Sequence, residues 1–566
     1  MTKILHIIQC LASGGGPRAL IAAAKYSARF GDYEHRVASL LPVDSNGLHL
    51  AEEAGMTVTV PRDRSALFHE IEKADIVHMS WWNNPEIYEL LRSDFPAMRL
   101  IIWFHTSGDI APQIITPELV DFADFALPCS PYTYQCRAIQ NLTPDERLKK
   151  TGMVYGAADF ARLKGIEPKP HDTFNVGYLG LATPYKIHPN FIPMSASIDI
   201  PDVKFIVCGF IDEVFPQQAQ RLGVAERFDF RGYVNDIKSV LETFDVFGYP
   251  LGIRVAAELV MQEAMYAGVP PVVFPAGGIK ELVINDYTGI IVHSELEYKH
   301  AIEYLYYHPE ERKRLGNNAK EYARQIFGAE NAAKKLNAIY ERMMQRQKRK
   351  RLWKDRRSVN LLNQTVTLSD LTNKKKDDHE VSGAEIFIET LGDSGEAKAL
   401  NTSMNSEDIT ELFRVEREIS SYPPIMYCND TGGILQYEGY YPTDPYLRLW
   451  AGLMWNQRSD HDIAVSEFQS AINVGFKHWR VYWYLAQAAE KAGNLILAKK
   501  SLNTVLQSAP EFTEAHEMNY RIVEVEIVPE VEPERFSTAC PHCNEILYVD
   551  RKGRWQCPCC KNDFVV

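Results

Sequence analysis

The chain has 566 residues, 46% of them apolar and 24% charged, with 61 Lys and Arg against 74 Asp and Glu and a formal net charge of −13. At roughly 100–200 residues per domain this length calls for three or more domains, and the composition is ordinary for soluble globular protein. The acidic balance excludes bulk attraction to nucleic acid or anionic membrane, and no window reaches the ~20 apolar residues of a membrane span.

The first apolar run, Ile4–Gln9, follows a lysine, but His6 and Gln9 interrupt it and glycines follow directly. It reads as a β-strand and not as a signal peptide. Short apolar runs then alternate with helical patterns as far as Leu163. The candidate strands are Ile4–Gln9, His35–Leu40, Thr57–Val60, Ile76–Met79, Leu100–Phe104, Phe125–Pro128 and Met153–Tyr155. Such alternation predicts a mostly parallel sheet with helices on both faces, here residues 1–164. The stretch GIEPKPHDT, Gly165 to Thr173, is a linker by its two prolines and lack of period. The pattern restarts with Phe174–Leu179, Lys204–Cys208, Arg227–Phe230, Phe244–Tyr249, Pro271–Phe274 and Ile290–His293, giving a second α/β domain over 174–330. Two such lobes leave a cleft, and ligands of open α/β sheets sit beyond the carboxyl ends of the strands.

Pro309 to Met344 is strongly helical, and residues 331–357 read as a long helix and basic linker. The basic run holds Arg346, Lys348, Arg349, Lys350 and Arg351, then Lys354, Arg356 and Arg357. A solvated linker is the preferred reading; a patch for anionic lipid headgroups, and so peripheral membrane contact through 346–357, is the sharper one. Residues 358–440 carry no assignment, and their polar first half resembles a disordered segment in composition. Within 444–518, Trp450, Gly452, Ala464, Phe468 and Ala471 recur 34 residues later as Tyr484, Ala486, Ala498, Leu502 and Val505. That is the tetratricopeptide period, in which paired helices stack. Two repeats are marginal alone and need a neighbouring domain or helix; a protein partner on them is a further expectation.

The last 27 residues hold five of the ten cysteines. Cys540 with Cys543 and Cys557 with Cys560 form two C-x-x-C knuckles thirteen residues apart, a spacing that lets four thiolates surround zinc. Cys559 is the extra thiol. The segment 536–566 resembles a zinc ribbon held together by its metal. With the other five cysteines scattered, the chain fits a reducing, cytoplasmic setting better than a disulfide framework.

Ser13-Gly14-Gly15-Gly16-Pro17-Arg18 follows the first strand and opens a helix. Glycines allow close backbone approach, and a helix N-terminus favours an anion or a hydroxyl. KILHIIQCLASGGGPRAL resembles the opening of GT-B glycosyltransferases, in particular the large family 4 of retaining enzymes. Further segments resemble that family in the same order. IIWFHTSGD carries His105 at the place of the active-site histidine. VYGAADFARL is similar to the "NG-V-D" segment, with Tyr155 in place of asparagine. FNVGYLGLATPYK carries Lys186 at the place of the donor-phosphate lysine, and FIVCGF and FRGYVNDI follow. QEAMYAGVPPVVFPAGGIKELV holds Glu263, Gly277 and Gly278. The resemblance covers about residues 1–344.

Two positions depart from the pattern. Leu181 stands where the family has an arginine five residues before the lysine. Val255 stands at the first of two paired glutamates, of which Glu263 is the second; nearby Glu258 is a candidate substitute from the first turn of the helix. The resemblance implies transfer of a sugar from a nucleotide-sugar co-substrate to an acceptor that is a saccharide, lipid or protein. Gly14, Gly15, Gly16, Lys186, Gly277 and Gly278 would bind the donor and its phosphates. His105, Glu258 and Glu263 would act on its sugar and ribose. No catalytic metal and no nucleic-acid partner are expected. The alternative reading is a degenerate GT-B module without turnover, acting in assembly through its repeats and zinc ribbon.

Overall fold

The computed structural model describes residues 1–12, 14–353, 381–422, 432–523, 536–539, 546–549, 554–556 and 563–565. The first lobe holds β1 (Thr2–Ile8), β2 (Tyr33–Ser39), β3 (Thr57–Thr59), β4 (Ile76–Trp81), β5 (Leu100–Phe104), a hairpin of β6 (Asp109–Ile110) and β7 (Gln113–Ile114), and β8 (Phe125–Pro128). Its parallel sheet runs β3-β2-β1-β4-β5-β8. The second lobe holds β9 (Phe174–Leu179), β10 (Val203–Cys208), β11 (Phe228–Gly232), β12 (Val246–Tyr249), β13 (Pro271–Val273) and β14 (Ile290–Ile291). Its order, β11-β10-β9-β12-β13-β14, repeats the first. β4, β5, β9 and β12 are buried at every residue, as strands covered on both faces must be. Each sheet reverses direction beside its first strand, between β1 and β4 and between β9 and β12, which fixes the crevice for a ligand.

One expected strand is absent. Met153–Tyr155 runs extended beside β8, with Val154 N–H donating to Pro128 O at 3.1 Å, but forms no ladder.

The second lobe hands the chain back to the first. Helices α1 (Gly15–Phe30) and α3 (Leu259–Ala267) flank the crevice, α2 (Pro85–Leu91) meets the C-terminal helices, and α4 (Ala329–Met344) crosses from the second lobe to lie along α1. The contact is partly polar. Ser27 Oγ donates to Asn337 Oδ1 at 2.5 Å, and His35 Nε2 lies 2.9 Å from Ser27 Oγ. His6 Nε2 lies 2.8 Å from His35 Nδ1, and His78 Nδ1 lies 2.9 Å from Tyr340 OH. These three imidazoles sit side by side on adjacent strands and are buried.

The basic run after α4 turns inward. Arg346 donates to Asp124 O and Lys149 O, each at 2.6 Å, and Lys348 Nζ to Ala74 O at 2.6 Å. Arg349 and Arg351 both pair with Asp124, and Arg351 also donates to Phe122 O at 2.7 Å. Several of these carbonyls end first-lobe helices, where cations are favoured by the helix dipole. For Arg346, Lys348 and Arg351, which are enclosed in part or in full, the expectation of a solvated linker or a lipid-binding patch is corrected, while Arg349 pairs with Asp124 and stays 49% exposed; the run is a strap under the first lobe. Lys350 is exposed. Lys354, Arg356 and Arg357 lie outside the described residues.

Part of the unassigned region 358–440 is helical. It supplies α5 (Gly383–Thr390), α6 (Gly395–Asn405), α7 (Ile409–Ser420) and α8 (Ile434–Tyr440), followed by α9 (Pro445–Gln457), α10 (His461–Asn473), α11 (Arg480–Lys491), α12 (Leu495–Ser508) and α13 (Thr513–Val523). The residues paired at a 34-residue interval occupy equivalent buried places in the helix pairs α9–α10 and α11–α12. Helix α7 lies against α9 and reaches α11. Its buried Glu416 pairs with Arg480 at 2.9 Å and accepts from Tyr484 OH at 2.7 Å and Ser403 Oγ at 2.7 Å. Phe413 packs on Trp479, Tyr484 and Phe512. The chain itself therefore covers this face of the helix pairs. The unit also shares one apolar core with the first lobe. Asn83, the second residue after β4, joins them: its Nδ2 donates to Thr390 Oγ1 at 2.8 Å and its Oδ1 accepts from Tyr437 OH at 2.7 Å. Tyr441 OH donates to Glu89 Oε1 at 2.6 Å, and Glu389 pairs with Arg92.

The histidine row gives the first lobe a defined response to acid. Burial lowers the pKa of His35 to about 4 and of His78 to about 3, and holds His6 well below its ordinary value. Between pH ~6.5 and ~4 the unfolded chain binds protons that the folded chain refuses. Stability is therefore full above about 6.5 and falls as pH drops below it. His78→Leu should be less stable at pH 7.5, because Tyr340 loses a partner. Its further loss on going to pH 5 should be smaller than wild type's by about 2 kcal/mol. Denaturant melts at the two pH values measure this; an equal loss in both proteins would contradict it.

Candidate functional site

The two lobes face each other across the carboxyl ends of their strands. In the first lobe β1 leads to the glycine loop, and α1 starts at Gly15 with Gly14 as its N-cap, a residue with no side chain to cap the first amides. In the second lobe β12 leads to α3, whose N-cap is Glu258, again without a side-chain cap. Several other helices are capped by their own side chains, among them those preceded by Asp44, Asp63 and Ser294. The two uncapped ends meet: a Cβ on Gly15 would stand 3.9 Å from the Leu259 side chain. Both border a cavity of about 290 Å³ that is also lined by Leu181, Cys208, Val234 and Glu263. It adjoins a second cavity of about 490 Å³, and the two share Arg18, Arg162, Tyr233, Leu259 and Glu263. Free amides at two helix starts favour a negatively charged ligand there.

Glu263 lies one turn into α3 and is buried, with 3% exposure. Burial pushes its pKa above the ordinary carboxylate value, and its ion pair with Arg162 opposes that shift. Arg162 comes from the turn Phe160–Leu163 at the crossing between lobes. Lys186 follows β9. Its Nζ lies 3.2 Å from Glu258 Oε1 and 6.0 Å from the centre of the Tyr249 ring. Tyr249 OH donates to Glu258 Oε2 at 3.0 Å. Glu258 is therefore the residue before α3 and not part of its first turn, and its carboxylate belongs to Lys186. Val255 bridges Gly277 through the backbone, and Gly278 N–H donates to Val255 O at 2.7 Å.

The glycines have separate reasons. A Cβ on Gly16 would fall 2.1 Å from the Trp82 ring, and one on Gly278 would fall 1.8 Å from Ala256 O. Gly16 thus admits an indole, while Gly277 and Gly278 let their segment close on residues 255–256. Gly14 and Gly15 line the smaller cavity; Gly277 and Gly278 line neither.

His105 directly follows β5 and lies between two indoles, Trp82 stacked on it at 4.5 Å and Trp103 tilted at 4.5 Å, with Ser80 Oγ 3.3 Å from Nε2. Desolvation lowers its pKa to about 3, so the ring is neutral near pH 7 and acts only through hydrogen bonds. Trp82 reaches from His105 to Gly16, and His105 lines neither cavity. The structure thus brings Gly14, Gly15 and Glu263 to one cavity and pairs Lys186 with Glu258 beside it.

Sequence reasoning missed Arg18, Arg162 and Tyr233. Arg18 Nη2 donates to Tyr233 OH across the lobes at 3.0 Å. An arginine one residue after the first-turn proline of a cleft-facing helix was the available signal. On the opposite rim Asp109 of the β6–β7 hairpin accepts from Arg254 at 2.9 Å and from Tyr132 at 2.7 Å.

Residues 159–322 match the family model described as glycosyl transferases group 1. A relative, D-inositol 3-phosphate glycosyltransferase of Corynebacterium glutamicum, is 25% identical over 305 residues, 47% of this chain and 72% of that protein. Among solved structures, Anabaena HepE in complex with UDP-glucose superposes with a TM-score of 0.50 at 20% identity, covering 60% of this chain and all of that one. A glycosyltransferase from Rickettsia africae gives 0.51 at 14% identity, over 61% and 99%. These likenesses show a GT-B-like fold, to which this chain adds a helical C-terminal part. Among the described residues no group of three or more His, Cys, Asp or Glu can hold a metal ion. No helix among the described residues is long and apolar enough to cross a membrane.

Proposed function

We propose that this chain is a glycosyltransferase that moves a sugar from a nucleotide-sugar donor to an acceptor, with retention at the anomeric carbon following the family resemblance. The observation that carries the reading is the pair of uncapped helix starts on one cavity, with Glu263 inside it and Lys186 beside it. Breaking the anomeric C–O bond leaves a nucleoside diphosphate, and charge grows on it as the bond breaks. Amides at the start of α3 and the Lys186 ammonium act on that charge. The Glu263 carboxylate accepts from ribose hydroxyls once Arg162 yields one of its oxygens. The apolar wall of Leu181, Val234 and Ile237 suits the base. Neutral His105 stands one indole away from the glycine loop, as a hydrogen-bonding group near the sugar. UDP-glucose bound to the Anabaena protein supports trying uridine nucleotides first.

Isothermal titration with UDP, GDP and ADP tests the site. At least one should bind, and Lys186→Ala should weaken it by about 1.5–3 kcal/mol, the value of a charge-assisted hydrogen bond. A folded chain that binds none of the three would remove the donor assignment and favour the non-catalytic assembly reading.

We propose zinc for the C-terminal knuckles. Cys540, Cys543, Cys557, Cys559 and Cys560 lie outside the described residues. What supports the reading is the pairing around them: 536–539 with 546–549, and 554–556 with 563–565, are two antiparallel hairpins whose connecting segments each carry one C-x-x-C. Four thiolates would close the coordination and leave no position for chemistry. Metal analysis should find one zinc per chain, retained in Cys559→Ser and lost in Cys560→Ser. The reverse pattern would show that the wrong thiol was chosen.

A further inference from the structure

The ion pair between Lys186 and Glu258 has a consequence for donor binding. Both side chains are mostly enclosed, at 12% and 17% exposure. The carboxylate is held from two sides, by Lys186 at 3.2 Å and by Tyr249 OH at 3.0 Å. Tyr249 is buried and ends β12, so its hydroxyl is fixed by the sheet. Glu258 occupies the N-cap position of α3 with extended backbone, φ −119° and ψ 119°, yet makes no bond to the first-turn amides. A negative group thus sits on the lysine, beside amides that stay uncapped. These are the partners an incoming phosphate requires. Leu181, 46% exposed, adds no charge there.

We propose that Glu258 is an internal occupant of the donor-phosphate place, an affinity-determining residue that a phosphate must displace from Lys186. This rests on the donor-site reading above. When a nucleoside diphosphate arrives, its oxygen takes the Lys186 ammonium, and the Glu258 carboxylate must leave or face like charge across a few ångströms. Glu258 therefore lowers affinity for phosphorylated ligands and leaves the nucleoside part untouched.

Titration of the full-length chain with UDP, GDP, ADP and uridine decides it. Glu258→Gln should bind its preferred nucleoside diphosphate at least tenfold more tightly than wild type, with uridine unchanged. Tyr249→Phe, which loosens the carboxylate without removing it, should give a smaller gain. In a Lys186→Ala background the gain from Glu258→Gln should be much smaller, because no ammonium is left for carboxylate and phosphate to compete for. Equal or weaker diphosphate binding by folded Glu258→Gln, with wild type binding normally, would overturn the proposal and leave the donor site standing. A uridine gain as large as the UDP gain would also overturn it. No binding by either folded protein would remove the donor site and this proposal together.

Discussion

The first-turn amides of α3 border the cleft without a capping side chain, because the residue in the N-cap position gives its carboxylate to Lys186 and Tyr249 instead. That local choice depends on the sheet beneath it. β12 must end beside β9, so that the segment after β12 and the loop after β9 reach the same place. The same order in the first lobe does this for the glycine loop after β1. Two parallel sheets with one strand order therefore aim two helix starts at a shared cavity, and the charge balance there follows from which side chains those helix starts carry.

Holding the two halves in register falls to segments outside both sheets. Helix α4 returns to the first lobe and fixes itself through Asn337 and Tyr340 on a buried row of serine and histidine. The strap after it ties basic side chains to first-lobe carbonyls and Asp124. The helical unit then extends the first-lobe core and grips Asn83, one residue from Trp82, which is itself stacked on His105. The C-terminal helices are thus continuous in packing with the lobe that carries the glycine loop, and Asn83 is one residue from the indole that lies against Gly16.

The alternation of apolar runs made both sheets legible, because strands covered on two faces are apolar throughout. Met153–Tyr155 misled for the same reason: Val154 and Tyr155 are buried, but burial alone does not make a ladder. The 34-residue spacing located the two helix pairs, while their covering helix α7 lay in a region left unassigned. There the signals were caps and not periods: Ser382 with Glu385 forms a capping box, and Ser394 and Asp408 cap the next two helices. Glu258 was noticed for its nearness to the missing glutamate, but its partner lies 72 residues away, and only the fold could supply it. The basic strap was illegible for a similar reason. A run of cations looks the same whether it meets water, lipid or helix ends, and its partners are backbone carbonyls that carry no sequence signature.

Diffraction from crystals of the full chain grown with the nucleoside diphosphate that binds it tests the central claim most directly. The account predicts phosphate oxygens within hydrogen-bond distance of the first-turn amides of α3 and of Lys186, with the ribose on Glu263. A nucleotide bound elsewhere, or one whose phosphates point away from the start of α3, would contradict it.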